Sequence, residues 1–239
     1  MLTVIVPSRG RPDAMLDLIN SVVDTRQVAT TNVVLAVDDT DPMLDLYEEV
    51  VNVRPDVSRL EVVRGGWMVA ALNEAAQRVV ADPAVTAVGF LGDDHRPRTK
   101  GWDAAYLTAL RQMGAGIVYG DDLLQHDFVP TQCAMTADII RRVGWMAHPS
   151  LRHMYVDTLW RDMARGVGKL RYLPDIVVEH LHYLNGKAIE DDGYKRVNDP
   201  QVYKADEDAF RRLHATGVVR SASEVIRQLA NVALNQKEM

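Results

Sequence analysis

Cysteine is nearly missing: Cys133 is the only one in 239 residues. That excludes a disulfide framework and a thiolate metal cluster, and it fits a reducing cytoplasm. Long apolar runs are missing too. No stretch approaches the roughly 20 residues of a membrane-spanning helix. Met1 leads straight into Leu-Thr-Val-Ile-Val rather than into a basic stretch and an apolar segment, so neither secretion nor membrane anchoring through this chain is expected. A basic excess is also lacking. The 27 Lys plus Arg stand against 33 Asp plus Glu, a formal charge of −6, which argues against sequence-independent binding to a nucleic-acid backbone. What is present is an ordinary globular composition, 47% hydrophobic and 25% charged. A chain of this size buries roughly three quarters of its unfolded surface without staples, and one α/β domain with a tail is the expectation.

The first two thirds read as strands alternating with helices. Leu2 to Val6, Val33 to Val37, Leu60 to Val63 and Val85 to Leu91 are short apolar runs. Continuous apolar strands are buried on both faces, which implies a mainly parallel sheet flanked by helices. Between them, Met15, Leu16, Ile19, Val22 and Val23 recur at helical spacing after Pro12 and Asp13, and Val69 to Val80 does so after Gly65-Gly66. Further on, Ile117 to Tyr119 reads as a strand and Thr136 as the cap of a short helix stopped by Gly144. Tyr155 to Arg165 has helical spacing, and Leu170 to Val178 is extended. The polar stretch from Asn185 to Pro200 predicts a long mobile loop or lid, residues 183–200 in all. Two amphipathic helices, within residues 201–239, close the chain, the last opened by the capping-box pattern Ser221-Ala-Ser-Glu224.

Polar residues collect where the strands end. The first strand delivers Pro7-Ser8-Arg9-Gly10-Arg11, the second Asp38-Asp39, and the fourth Gly92-Asp93-Asp94-His95 followed by Arg96, Arg98 and Lys100. In open α/β sheets ligands bind beyond those carboxyl ends. Carboxylates that hold a divalent ion beside cationic side chains suit a phosphate-bearing ligand. Asp38 and Asp39 also suit a plain turn, and Asp157 also suits a surface pair with Arg161 four residues on.

The segments TVIVPSRGRPDAMLDLINSV, VVLAVDDTDP, ALNEAAQ and VGFLGDDHRPRTKGWD together resemble the nucleotide-binding half of GT-A glycosyltransferases, glycosyltransferase family 2 above all. MYVDTLWRDMARG resembles the acceptor-side segment of the same enzymes, so the resemblance spans residues 2 to 182. It implies a GT-A, Rossmann-like α/β fold with residues 1–182 as the donor, metal and acceptor domain and a C-terminal helical tail. It implies that Pro7, Ser8, Arg9 and Arg11 line the nucleotide pocket with Asp93 and Arg96, and that Asp38 or Asp39 accepts a hydrogen bond from the base, most often uracil. Asp93, Asp94 and His95 match the family's metal element, read either as Asp-x-Asp shifted by one residue or as the Asp-x-His form of polypeptide N-acetylgalactosaminyltransferases. Both readings keep Asp94 near the ion, and His180 or His182 completes its coordination. Mn²⁺ or Mg²⁺ is the implied cofactor. Asp157 is the implied general base, with Trp145 and Trp160 on the acceptor side.

The activity implied is inverting transfer of a sugar from a nucleotide-sugar, a UDP-sugar first, to a hydroxyl acceptor. A hydroxymethylated base in DNA is one such acceptor, since compact bacteriophage enzymes of this kind look similar around GDDHRPRTKGWD. The competing readings are a nucleotidyltransferase, disfavoured by the single Gly in PSRGRPD, and a non-catalytic nucleotide-sugar-binding protein.

Overall fold

The computed structural model describes residues 1–64 and 66–236. Gly65 of the Gly65-Gly66 pair and the last three residues of the C-terminal tail lie outside the described residues. The first half is built from β1 (Leu2–Ser8), α1 (Pro12–Thr25), β2 (Asn32–Asp38), α2 (Leu44–Val53), β3 (Ser58–Val63), α3 (Met68–Val80), β4 (Ala87–Phe90), β5 (His95–Pro97) and α4 (Trp102–Met113). The second half adds β6 (Ile117–Asp121), β7 (Cys133–Thr136), α5 (Ala137–Val143), α6 (Val156–Arg165) and β8 (Leu170–His180). A 3₁₀ turn (Tyr183–Asn185), α7 (Asp192–Val197), α8 (Pro200–Ala215) and α9 (Val218–Asn235) complete it.

Among the described residues the strands form one eight-stranded sheet in the order β3-β2-β1-β4-β7-β6-β8-β5. β3, β2, β1 and β4 run parallel. β7 lies antiparallel to β4 and β6, β6 and β8 are parallel again, and β5 reverses at the edge. The fold is thus the mainly parallel α/β sheet that the sequence implies. Alternation divides each strand between two cores. Leu2, Val4 and Val6 of β1, with Val33, Leu35 and Val37 of β2, pack against α1, α2 and α4. Ile5, Val34 and Ala36 face the layer of α3, α5, α6 and α9.

The structure differs from the sequence reading in several places. β5 and β7, of three and four residues, carry too few side chains to show a period. α2 and α4 also escaped that reading. The stretch expected to be an irregular loop holds α7, whose Asp191 side chain caps it by accepting from the Tyr194 amide (3.0 Å). The last helix starts at Val218, not at Ser221, because Gly217 takes a left-handed φ of 78° and turns the chain straight from α8 into α9. Ser221 and Glu224 are therefore interior, and Glu224 pairs with Arg227 one turn on (2.6 Å).

Candidate active site

The carboxyl ends of β1, β2, β4, β6 and β8 face one rim, and a connected polar network lies on it. Ser8, the last residue of β1, donates its hydroxyl to Asp93 Oδ2 (2.7 Å) and sits 2.8 Å from the Tyr47 hydroxyl. That hydroxyl accepts from the Arg11 amide (2.8 Å), so α2 fixes the start of α1. Arg11 donates to Asp93 Oδ1 (2.9 Å). Asp93 is buried. Burial and the charge of Asp94 push its carboxyl upward against the pull of Arg11 and Ser8. Pro7 is half-buried within the β1–β2 ladder.

Asp38 and Asp39 have different surroundings. Asp38 is buried; its Oδ1 accepts from the Thr40 amide (2.9 Å) and lies 3.4 Å from Arg9 Nη1, and its Oδ2 accepts from the Gly66 amide. Burial raises its pKa, but the Thr40 and Gly66 hydrogen bonds and the Arg9 charge outweigh that and hold it down to about 2. Asp39 is exposed beside it, with its amide tied to the Val63 carbonyl (2.9 Å). Of the two, Asp39 keeps its carboxylate free for a ligand.

β5 and β8 place the candidate metal ligands. His95 and His180 are direct register partners across this antiparallel pair, so their rings project on one face and stack 4.2 Å apart at 19°. Asp94 lies between them, 3.4 Å from His95 Nδ1 and 3.3 Å from His180 Nε2. One ligand atom from each of Asp94, His95 and His180 falls within 4.8 Å of the others. An ion with bonds of about 2.1 Å spans opposite ligands about 4.2 Å apart, so ligand atoms within 4.8 Å of one another are grouped on the scale of a coordination shell. Two buried ring nitrogens, His95 Nε2 and His180 Nδ1, lack hydrogen-bond partners. One carboxylate and two imidazoles with unspent nitrogens fit a divalent transition ion better than an all-oxygen ion such as Mg²⁺. The two rings hold opposite charge states. Burial and the neighbouring His180 keep His95 neutral. Burial works against the proton on His180 too, but Asp122 and Asp94 outweigh it and lift the pKa to about 9. His180 must release that proton for its ring to ligate a metal.

Three residues expected here stand elsewhere or face away. His182 is outside the three-ligand group; its Nδ1 caps the 3₁₀ turn by accepting from the Leu184 amide (3.2 Å). Arg96 is buried and spends Nη1 on the carbonyls of Asp93 and His95 (both 2.8 Å), so it braces the 93–96 turn and does not line the donor pocket. Trp160 is 1% exposed, with its indole N–H donating to the Met146 carbonyl (2.8 Å), which places it in the core and leaves no ring face for an acceptor. Trp145 is half-buried, edge-on to His148 at 5.3 Å. In the basic strip beyond Arg96, Arg98 pairs with Glu179 at 2.7 Å and Lys100 is exposed.

Sequence reasoning passed over the residues that close the site. The Asp191 carboxylate takes the Arg11 guanidinium in two bonds (2.9 and 2.7 Å). Tyr194 donates its hydroxyl to Asp94 Oδ2 (2.7 Å) and lies under Arg11 at 4.7 Å. Arg196 donates to the Gly66 carbonyl and stacks over Trp67 at 4.6 Å. Only their density of Asp, Tyr and Arg in a polar stretch could have pointed to them.

Asp157 opens α6, half-buried, with Oδ1 accepting from the Thr158 amide (2.6 Å). Burial raises its pKa against the Thr158 bonds and the Arg161 charge. Arg161 pairs with Asp162 (3.0 Å). The corner before Asp157 is tightly held. Asp206 of α8, 1% exposed, accepts from the amides of Arg152 (2.9 Å), His153 (2.8 Å) and Met154 (2.7 Å). Tyr155 then turns left-handed (φ 67°) and stacks on Phe210 at 5.2 Å. Burial lowers the His153 pKa against the charge of Asp206. On the far wall, Asn73 from ALNEAAQ accepts from the Met146 (2.8 Å) and Ala147 (3.1 Å) amides and donates to the Ala147 carbonyl (2.7 Å).

No protein-family model matches the chain, and no curated protein sequence matches it. Solved structures do. The mannosyltransferase PcManGT from Pyrobaculum calidifontis, in complex with GDP-Man and Mn²⁺, superposes with a TM-score of 0.67 at 16% identity, covering 98% of this chain and 74% of that one. TarS of S. aureus superposes with a TM-score of 0.59 at 15% identity, over 75% of this chain and 36% of its own. TarS 1–349 in complex with UDP gives 0.57 at 14% identity, over 74% of this chain and 60% of its own. At such identities the likeness is one of fold: the chain has the GT-A-like fold that its sequence resembles. No helix among the described residues is long and apolar enough to cross a membrane.

Proposed function

We propose that the chain is a divalent-metal-dependent glycosyltransferase that moves a sugar from a nucleotide-sugar to a hydroxyl acceptor with inversion. The carrying observation is the Asp94–His95–His180 triplet beside Arg11 on the strand-end rim of a GT-A-like sheet. Mn²⁺ is the ion that matches both the donor set and the complex of the structural neighbour. When bound it supplies charge stabilisation to the departing nucleoside diphosphate. Asp39 accepts from the base and Arg9 lies at the pocket mouth. Arg11 leaves Asp191 to meet phosphate oxygens, for which its fork is well shaped. Residues 183–200 act as the lid, and the Tyr194 hydroxyl bonds the Asp94 carboxylate that would hold the metal. Asp157 takes the acceptor proton as the hydroxyl oxygen bonds to the anomeric carbon and the bond to the diphosphate breaks. A burial-raised pKa makes that carboxylate a stronger base.

The test is release of free nucleotide from a panel of UDP- and GDP-sugars with and without Mn²⁺. Asp94→Ala should abolish the metal-dependent part. Asp157→Asn should keep the donor-induced thermal shift, about 2.7 kcal/mol at 100 times the dissociation constant, while losing transfer. Unimpaired transfer by that variant would remove Asp157 from the mechanism, and no turnover of any donor would leave a binding protein.

A further inference from the structure

Among the described residues β3 has one strand neighbour, β2, and forms an edge of the sheet. Residues of a parallel strand turn their backbone groups alternately to one side and the other. The Val33 amide donates to the Val57 carbonyl (2.8 Å) and the Asp39 amide to the Val63 carbonyl (2.9 Å), so Val57 and Val63, with Arg59 and Glu61 between them, address β2. Ser58, Leu60 and Val62 therefore turn their N–H and C=O groups outward. Two of these groups are spent within the chain. The Ser58 amide donates to the Arg54 carbonyl (2.9 Å), and the Val62 carbonyl accepts from Arg78 Nη1 (3.1 Å). The Ser58 carbonyl, the Val62 amide and both groups of Leu60 have no partner among the described residues.

Those unspent groups complement themselves. With a second copy of β3 laid antiparallel and Leu60 opposite Leu60, each Leu60 amide meets the other Leu60 carbonyl, and each Val62 amide meets the Ser58 carbonyl of the other copy. The groups already spent, the Ser58 amide and the Val62 carbonyl, are the pair left over. The same register sets Arg59 directly opposite Glu61 of the second copy, in the closer non-hydrogen-bonded pairs whose Cα atoms stand about 4.5 Å apart. Arg59 is exposed and lies 3.4 Å from its own Glu61, which Arg78 holds at 2.8 Å. Parallel in-register pairing would oppose arginine to arginine and glutamate to glutamate. The order of charge thus selects the twofold arrangement.

The flank beside this edge is apolar. Leu46 and Val53 lie two turns apart on one side of α2, 43% and 59% exposed, with Met43 just ahead of the helix at 41%. Tyr47, on the buried side of α2, bonds the Arg11 amide at the start of α1, and Leu46 and Val53 turn away from it. Val62, 39% exposed, projects from the same sheet face as Leu60, which packs on the core that contains Tyr47 and Val50 of α2. Large apolar side chains gathered along one edge differ from the single exposures of an ordinary surface. At the opposite edge β5 is three residues long and carries His95 of the metal triplet. A pair joined at β3 therefore closes on itself instead of extending into a fibre.

We infer that the β3 edge is the contact between two copies of this chain, joined antiparallel into one continuous sheet with both α2 flanks on the same side of the junction. The inference stands apart from the transfer reading. Its test is sedimentation equilibrium of the full chain, with the melting temperature of every variant recorded. The native chain should form a dimer. Arg59→Glu and Glu61→Arg each set like charges opposite one another at two symmetric places, and each should weaken the dimer by about tenfold or more. The double variant Arg59→Glu/Glu61→Arg restores opposite charges in the same register and should return to within about threefold of the native affinity. The two single variants mixed in equal amounts should also dimerise, since one edge is then acidic and the other basic. Val53→Glu, at an exposed position on the α2 flank, should loosen the native dimer without lowering the melting temperature of the monomer. If loss of the Arg78 pair destabilises Glu61→Arg, Arg59→Glu and Val53→Glu carry the comparison. A native chain that stays monomeric at about 100 µM, or a dimer that Arg59→Glu and Val53→Glu both leave intact, would overturn the inference. So would a well-folded double variant that dimerises no better than the single ones.

Discussion

Asp38 has both carboxylate oxygens committed to the strand-end loop, and its pKa of about 2 against an ordinary 3.8 makes that commitment pH-dependent. A depressed carboxylate pKa contributes stability that is present above about pH 4 and is lost as pH falls through about 2. Asp38→Asn should therefore flatten the stability curve between pH 4 and 2 by roughly 1–2 kcal/mol, read from urea unfolding at each pH. An unchanged slope would mean that the Thr40 and Gly66 bonds survive protonation. At this scale the sequence was a good guide to position where a side chain ends a buried strand, as Ser8 and Asp38 do. It could not say that Arg96 turns inward to brace its own loop, because an arginine in a basic run looks the same whether it meets phosphate or carbonyls.

At the scale of elements, α7 sets a hydrogen bond on the carboxylate that the proposed metal would use. Tyr194 gives Asp94 a hydrogen bond of 2.7 Å to an ionised oxygen, a kind of contact worth roughly 1.5–3 kcal/mol. Tyr194→Phe should therefore tighten Mn²⁺ binding by several-fold in titration calorimetry, and weaker binding would make the hydroxyl an ally of the metal. α7 was unreadable from sequence because its stability comes from docking on Arg11 and Asp94 and not from an apolar face. β1 and β2 were legible for the opposite reason: sheet burial on both sides leaves an unbroken apolar run. The capping-box pattern at Ser221 misled because Gly217 reverses the chain one turn earlier and extends α9 over it.

At the scale of the whole molecule, residues far apart in sequence share single interactions. Asp206 of α8 holds three amides of the 152–154 corner on which α6 and Asp157 depend. Asp206→Ala leaves three N–H groups without their acceptor and should cost about 2–4 kcal/mol in chemical denaturation. Asp206→Asn should recover only part of this, since one end of an amide repels the N–H groups it faces. A loss below about 0.5 kcal/mol would show that water replaces the carboxylate.

The order of synthesis gives that carboxylate a second meaning. Every strand, the Asp94–His95–His180 triplet and Asp157 leave the ribosome before Asp206 does, because α8 follows them all in the chain. A polypeptide that ends before α8 lacks the acceptor for those three amides and also Ala209, Leu213, Ala222 and Ile226, which complete the core over α3, α5 and α6. The corner beneath Asp157 is thus the last part of the fold to be completed, and the tail serves as its completeness check.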